Sequence, residues 1–244
     1  MSEDQIIEVS HLTKKFGAFT AVNEITFSVN KGEIFGFLGA NGAGKTTAIK
    51  MLNGLLKPDS GKATVAGFNV FTQAQHIRQN IGYMSQRFSL YEDLTVKENF
   101  RFYAGIYGLK RKAIEAKTSE LLKKLNFEQT KDQLIGSLPL GWKQKLAFSL
   151  SIFHEPKVVF LDEPTSGVDP VTRRQFWEMI YEAAEQGITL FVTTHYMDEA
   201  EYCDRISIMV DGKIEAMGTP SELKSTFSAH DIDEVFLKLA RKSG

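Results

Sequence analysis

The feature that most constrains this 244-residue chain is a join between two short segments: the apolar run Ile34-Phe35-Gly36-Phe37-Leu38 and the glycine-rich stretch Gly39 to Thr47, GANGAGKTT. The run reads as a strand, and the GxxxxGK(S/T) pattern after it opens a helix. A glycine-rich turn there can point successive backbone N–H groups inward. The helix N-terminus adds partial positive charge, so the pair forms an anion cradle.

A second strand ending, VVFLDEPTSGVDP from Val158 to Pro170, places Asp162 and Glu163 at the tip of an apolar run. Gly42 and Gly44 let the loop backbone approach a triphosphate, Lys45 supplies a point charge to its outer phosphates, and the Thr46 hydroxyl suits Mg²⁺. Asp162 can hold that ion from the far strand, which leaves Glu163 free to act on water. Together the segments predict an ATPase. The loop alone does not separate ATPases, GTPases and kinases.

Beyond the loop, the order of motifs resembles the nucleotide-binding subunit of an ATP-binding cassette (ABC) transporter over roughly residues 6–218. Phe16 in KKFG resembles the aromatic that stacks on adenine. Gln86 in IGYMSQ sits where the family has its Q-loop glutamine, SGVD (Ser166 to Asp169) matches the D-loop, and His195 in VTTHYMDEAE is similar to the histidine that senses the γ-phosphate. The resemblance implies ATP and Mg²⁺. It implies nucleotide contacts from Phe16, Gly39, Asn41, Gly42, Ala43, Gly44, Lys45, Thr46, Thr47, Gln86, Leu140, Gly141 and Asp169. It further implies metal contacts from Thr46, Gln86 and Asp162, and catalytic roles for Glu163, His195, Gln86 and Lys45. Taken singly, Phe16 reads as a core aromatic, Gln86 as a loop amide and His195 as a structural histidine. Their ordered occurrence favours the functional reading.

One motif departs from the family. Where its members have LSGGQ or LSGGM, this chain has LPLGWKQ, with Pro139 in the serine position, Leu140 in that of the first glycine, and Gly141 retained. In the family this segment caps the γ-phosphate held by the other subunit of a head-to-tail dimer, using a hydroxyl, backbone N–H groups and a helix dipole. A hydrogen bond to a charged group is worth about 1.5–3 kcal/mol, so losing one in the transition state would slow hydrolysis about tenfold to a hundredfold. The other catalytic residues are present, so the enzyme is expected to be active. Proline is tolerated in a first helical turn, and Pro139 is expected to start a helix over Trp142 to Ser151.

Composition agrees. With 43% hydrophobic and 24% charged residues, the chain matches a globular protein, and a net charge of −1 gives no case for nucleic acid. Cys203 is the single cysteine, which excludes an internal disulfide and points to a reducing compartment. The N-terminus lacks a signal-peptide pattern and no apolar run approaches membrane-spanning length, so a cytoplasmic protein is expected.

The expected fold is α/β: a P-loop NTPase (RecA-like) core with an N-terminal antiparallel β layer and an inserted helical subdomain. Strands are expected at Ile6 to Val9, Thr20 to Val29, Lys62 to Ala66, Lys157 to Leu161, Ile188 to Thr193 and Arg205 to Val210, with a short helix between the last two. Helical spacing marks Leu94 to Tyr107 and Ile114 to Leu125. Asp169-Pro170 reads as an N-cap followed by a first-turn proline, Asp211-Gly212 as a two-residue hairpin to Lys213 to Ala216, and Thr219 to Glu222 as a capping box. Ile232, Val235, Phe236 and Leu239 form one apolar face expected to pack on the chain's own core. The domain division is 1–86 with 156–216 as nucleotide-binding core, 87–155 as helical subdomain and 217–244 as helical tail.

The resemblance implies two subunits, in a homo- or heterodimer, sandwiching two ATP molecules to drive an integral membrane permease. The wording of the motifs looks most like exporters with ABC-2-type permeases, peripheral on the cytoplasmic face. Phe88-Ser89-Leu90-Tyr91 reads either as part of the permease groove or as packing within the helical block. The alternatives are a soluble ABC-type ATPase on a macromolecular partner, a P-loop GTPase or small-molecule kinase, for which no NKxD motif is found, and half of a tandem-cassette subunit.

Overall fold

The computed structural model describes residues 4–86 and 90–242. Two sheets meet face to face. Strands β1 (Gln5–Phe16), β2 (Phe19–Asn30), β4 (Ser60–Val65) and β5 (Phe68–Asn69) form an antiparallel sheet in the order β2-β1-β4-β5. Strands β3 (Ile34–Gly39), β6 (Ile81–Met84), β7 (Val158–Asp162), β8 (Thr189–Thr194), β9 (Arg205–Val210) and β10 (Lys213–Gly218) form the second sheet, in the order β10-β9-β3-β8-β7-β6. All of it is parallel except the β9–β10 hairpin.

The composition of the strands explains the layering. Every residue of β3, β7 and β8 is buried, as expected for parallel strands covered on both faces. Between the sheets Phe27, Phe35, Phe37, Phe160 and Phe191 pack with centroid separations of 5.2–6.0 Å. Helices α1 (Lys45–Leu52) and α2 (Ala74–Asn80) share that core through Ala48, Ile49, Leu52 and Ile77, while α3 (Val96–Ile106), α4 (Arg111–Lys124), α5 (Leu140–Ile152) and α6 (Pro170–Glu185) belong to the core on the other side of the parallel sheet, the first three making a helical block. This block joins the core tightly. A Cβ on Gly82 of β6 would fall 2.0 Å from the Ser151 carbonyl oxygen of α5, and the His154 ring stacks on Tyr107 at 3.5 Å with Nε2 3.0 Å from the Ile81 carbonyl.

Several expectations are corrected. The first two strands are 12 residues each, far longer than expected on the β1 side, because register shifts and a left-handed His11 (φ 49°) let the hairpin continue through polar positions. The short helix before β9 is a 3₁₀ turn, Met197–Tyr202. Helix α5 starts at Leu140, and Pro139 is its N-cap rather than a first-turn residue. Asp169 caps α6 as expected, with Oδ1 accepting from the N–H groups of Val171 and Thr172. Asp211 (φ 45°) and Gly212 (φ 80°) make the left-handed pair that a type I′ hairpin needs. Thr219 and Glu222 form the capping box of α7 (Pro220–Thr226). Helix α8 (Ile232–Lys242) packs inward through Ile232, Val235 and Leu239. Of the apolar segment after Gln86, Phe88 and Ser89 lie outside the described residues, Leu90 is buried, and Tyr91 packs edge-on against Phe102. No helix among the described residues is long and apolar enough to cross a membrane.

Candidate active site

The loop between β3 and α1 turns because its glycines leave the ordinary backbone range. Gly42 has φ 85° and Gly44 φ 108°, and a Cβ on Gly44 would lie 2.4 Å from the Ala21 carbonyl oxygen. No L side chain fits there without displacing backbone. Ala43 is buried and its carbonyl accepts the Gly212 N–H, which pins the loop to the β9–β10 turn. Gly39 ends β3 beneath it.

A cavity of about 380 Å³ opens over this loop. Phe16 and Phe19, paired across the β1–β2 hairpin, line one end, and Lys45, Thr46, Gln86 and Glu163 line the other, with Asn41, Gly42, Gly44 and Thr47 between. Both aromatics are exposed, at 51% and 63%. Phe19 was absent from the sequence-based set, since only the hairpin register brings it opposite Phe16.

At the far end the polar groups interlock. Lys45 Nζ donates to the carbonyls of Gly39 (2.8 Å) and Ala40 (3.1 Å) and lies 3.3 Å from Glu163 Oε1. Glu163 Oε2 accepts from Gln86 Nε2 at 2.9 Å and faces His195 Nδ1 at 3.0 Å. Glu163 itself has φ 51°, a strained backbone for a non-glycine residue, held by its N–H donating to the Thr193 carbonyl and hydroxyl at 3.1 Å each. Thr193 Oγ1 also donates to Asp162 Oδ1 at 2.8 Å. That threonine emerges from the β7–β8 pairing and carries no sequence signal of its own.

Asp162 Oδ1 also accepts from Thr46 Oγ1 at 3.3 Å. Burial raises the Asp162 carboxyl pKa above the ordinary range, against the lowering effect of its Thr193 and Thr46 hydrogen bonds. Burial, with help from the Asp162 charge, pushes the Tyr83 phenol up to about 12. No group of three His, Cys, Asp or Glu side chains converges among the described residues. The Thr46 hydroxyl and the Asp162 carboxylate are hard oxygen donors of the kind Mg²⁺ takes.

Leu140, Gly141 and Asp169 do not line this cavity. They lie at the N-termini of α5 and α6, where Gly141 packs on Thr172 and Leu140 comes near Gly167. The N–H groups of Leu140 and Gly141 have no partner among the described residues.

A profile of the family described as ABC transporter matches residues 22–166. The chain is 49% identical over 242 residues to the Escherichia coli (strain K12) protein named probable multidrug ABC transporter ATP-binding protein YbhF, covering 97% of this chain and 42% of that one. It is 37% identical to the Nod factor export ATP-binding protein I of Burkholderia orbicola (strain AU 1054), covering 94% of this chain and 76% of that one. A solved structure described as the ATP binding subunit of an ABC transporter superposes with a TM-score of 0.86 at 29% identity, covering 96% of this chain and 99% of the other. The chain thus spans less than half the length of YbhF.

Proposed function

The chain belongs to the ABC transporter family, and from that premise we propose that it binds and hydrolyses ATP to drive a separate membrane permease, in the direction of export. The observation that carries this reading is the convergence of Lys45, Gln86 and His195 on the Glu163 carboxylate, which lines one cavity with Phe16 and Phe19. Adenine stacks on the aromatics, the loop N–H groups and Lys45 take the phosphates, and Glu163 orients or deprotonates the attacking water. Thr46, Asp162 and Gln86 are the residues to hold Mg²⁺, which when bound neutralises charge on the phosphate oxygens. His195 carries the state of the γ-phosphate to the segment that follows it.

Two such units pair head to tail, so that the Leu140 and Gly141 N–H groups and the α5 dipole meet the γ-phosphate on the other unit, with Asp169 beside them. Residues 1–86 and 156–216 form the nucleotide-binding core, 87–155 the helical block and 217–244 a tail. The site faces the cytoplasm on a membrane-bound complex. Export rests on the names of the multidrug and Nod factor export relatives.

ATP turnover of the purified protein against its own concentration tests this, with Glu163→Gln as control and sizing with and without ATP. Turnover rising about as the square of concentration, and an ATP-trapped dimer of the variant, support a homodimer. Turnover only after adding another cassette or membranes assigns the second half-site to a different chain. No ATP binding under any of these conditions overturns the reading.

A further inference from the structure

Behind the catalytic carboxylate lies a second polar cluster that the hydrolytic scheme does not use. The segment after β7 and the segment after β8 touch at two points. One is the Glu163–His195 contact. The other is Thr165 Oγ1, which donates to Glu199 Oε1 at 2.6 Å. Glu199 has no solvent exposure, and its second oxygen, Oε2, has no hydrogen-bond partner among the described residues. Arg173 of α6 approaches Glu199 Oε1 at 3.7 Å through a buried Nε that is likewise unpartnered, and lays its guanidinium 4.2 Å from the Tyr196 ring centroid. Tyr196 in turn packs on the His195 ring at 4.1 Å, and the Glu199 N–H closes the turn onto the Tyr196 carbonyl at 3.2 Å.

A buried carboxylate with so little compensation is costly, and an apolar pair of similar shape would hold two segments together without that cost. What the polar pair adds is a fixed register, since a 2.6 Å bond tolerates less sliding than a methyl contact. We propose that Glu199 is a positioning residue: bonded to Thr165 and braced by Arg173 through Tyr196, it sets where His195 stands relative to Glu163. This rests on the ATPase reading of the Glu163 site and extends it. Displacement of His195 on nucleotide binding or release moves Thr165 and the loop down to Asp169 with it, because Glu199 belongs to the same 3₁₀ turn as the residues that follow His195.

The experiment compares Thr165→Val, which removes the donor while keeping the shape, Glu199→Gln, and the double variant. Each single variant is expected to lower kcat about tenfold with KM for ATP within about twofold, and the double to be no slower than the slower single, as for residues acting as one unit. The ring resonances of His195, assigned with His195→Ala, are expected to shift in both single variants of the nucleotide-free protein. A fall in kcat with those resonances unmoved, or multiplicative effects in the double variant, overturns the proposal. If Glu199→Gln fails to fold by thermal melting, Thr165→Val alone carries the test. A wild-type protein that binds no ATP, alone or with another cassette or membranes, defeats the ATPase reading, while the imidazole resonances still decide whether Glu199 positions His195.

Discussion

Lys45 Nζ lies 3.3 Å from Glu163 Oε1, with the two side chains only 4% and 7% exposed. The cation proposed for the phosphates is therefore neutralised by the carboxylate proposed to act on water. In the proposed scheme, phosphate takes Lys45 from Glu163 and from the Gly39 and Ala40 carbonyls, and the same exchange frees Glu163.

This pairing predicts opposite effects on binding and turnover. Glu163→Gln removes the charge competing for Lys45, so ATP binding is expected to be equal or tighter, while turnover falls about a hundredfold or more with loss of a general base. Lys45→Ala is expected to weaken ATP binding and turnover together. Binding measured by calorimetry beside steady-state hydrolysis separates the two; weaker binding by Glu163→Gln would contradict the competition.

Burial of Asp162 gives a pH dependence of definite sign. Its folded pKa is raised, chiefly by desolvation, so the ionised form costs stability. That cost is absent below the ordinary carboxylate pKa and complete above the raised one. Without ligand, Asp162→Asn is expected to melt at higher temperature than the parent at about pH 7–8, with the gap closing toward about pH 4. Adding Mg²⁺ and ATP is expected to reverse the order at neutral pH, because in the proposed site the aspartate, unlike asparagine, offers the ion a charged oxygen. Melting curves with and without Mg²⁺–ATP check both halves; an unchanged gap across pH would remove Asp162 as its source.

The altered signature makes a further test at the start of α5. Pro139 occupies the N-cap with φ −57° and ψ 151° and offers no side-chain cap. Serine there can accept an N–H bond, so Pro139→Ser is expected to add about 0.5–2 kcal/mol of stability and to change turnover far less than Glu163→Gln does. Gly141→Ala differs in kind, since its Cβ would fall 2.5 Å from Thr172 Cγ2. Overpacking of this sort costs about 1–3 kcal/mol, and it is expected to tilt α5 against α6. Denaturation midpoints of the two variants should move in opposite directions.

Legibility in the sequence followed locality. Asp169 before Pro170, Thr219 with Glu222, and Asp211-Gly212 were readable because the residues that make each cap or turn are neighbours in the chain. The phosphate loop was readable for the same reason. Thr193 and Phe19 were not, because strand register alone brings Thr193 beside Asp162 and Phe19 opposite Phe16. Helix α2 and strand β6 escaped notice because they are short and polar or glycine-interrupted. In the Thr165–Glu199–Arg173 cluster it is Glu199, on the turn after β8, that only the fold brings to the other two. Pro139 was misplaced by one position, since chemistry alone does not distinguish an N-cap proline from a first-turn one.

Cys203 supplies an internal reporter for the same region. Burial raises its thiol pKa well above the usual range, and its Sγ contacts the Glu199 carbonyl at 3.7 Å. A Cβ added to Gly36 of β3 would lie 2.9 Å from that sulfur, so the thiol fills the space the glycine leaves. Only thiolate reacts readily with disulfide reagents, so labelling in native buffer is expected to be slow and limited by opening of the β8–β9 segment. As the chain's single cysteine, it reports that opening without interference. Mg²⁺–ATP binds the closed form and is expected to slow labelling by the factor 1 + [L]/Kd, about a hundredfold at 100 Kd, if opening breaks the site. Labelling unaffected by nucleotide would mean that this segment opens with His195 still in place, and would uncouple the thiol from the catalytic turn.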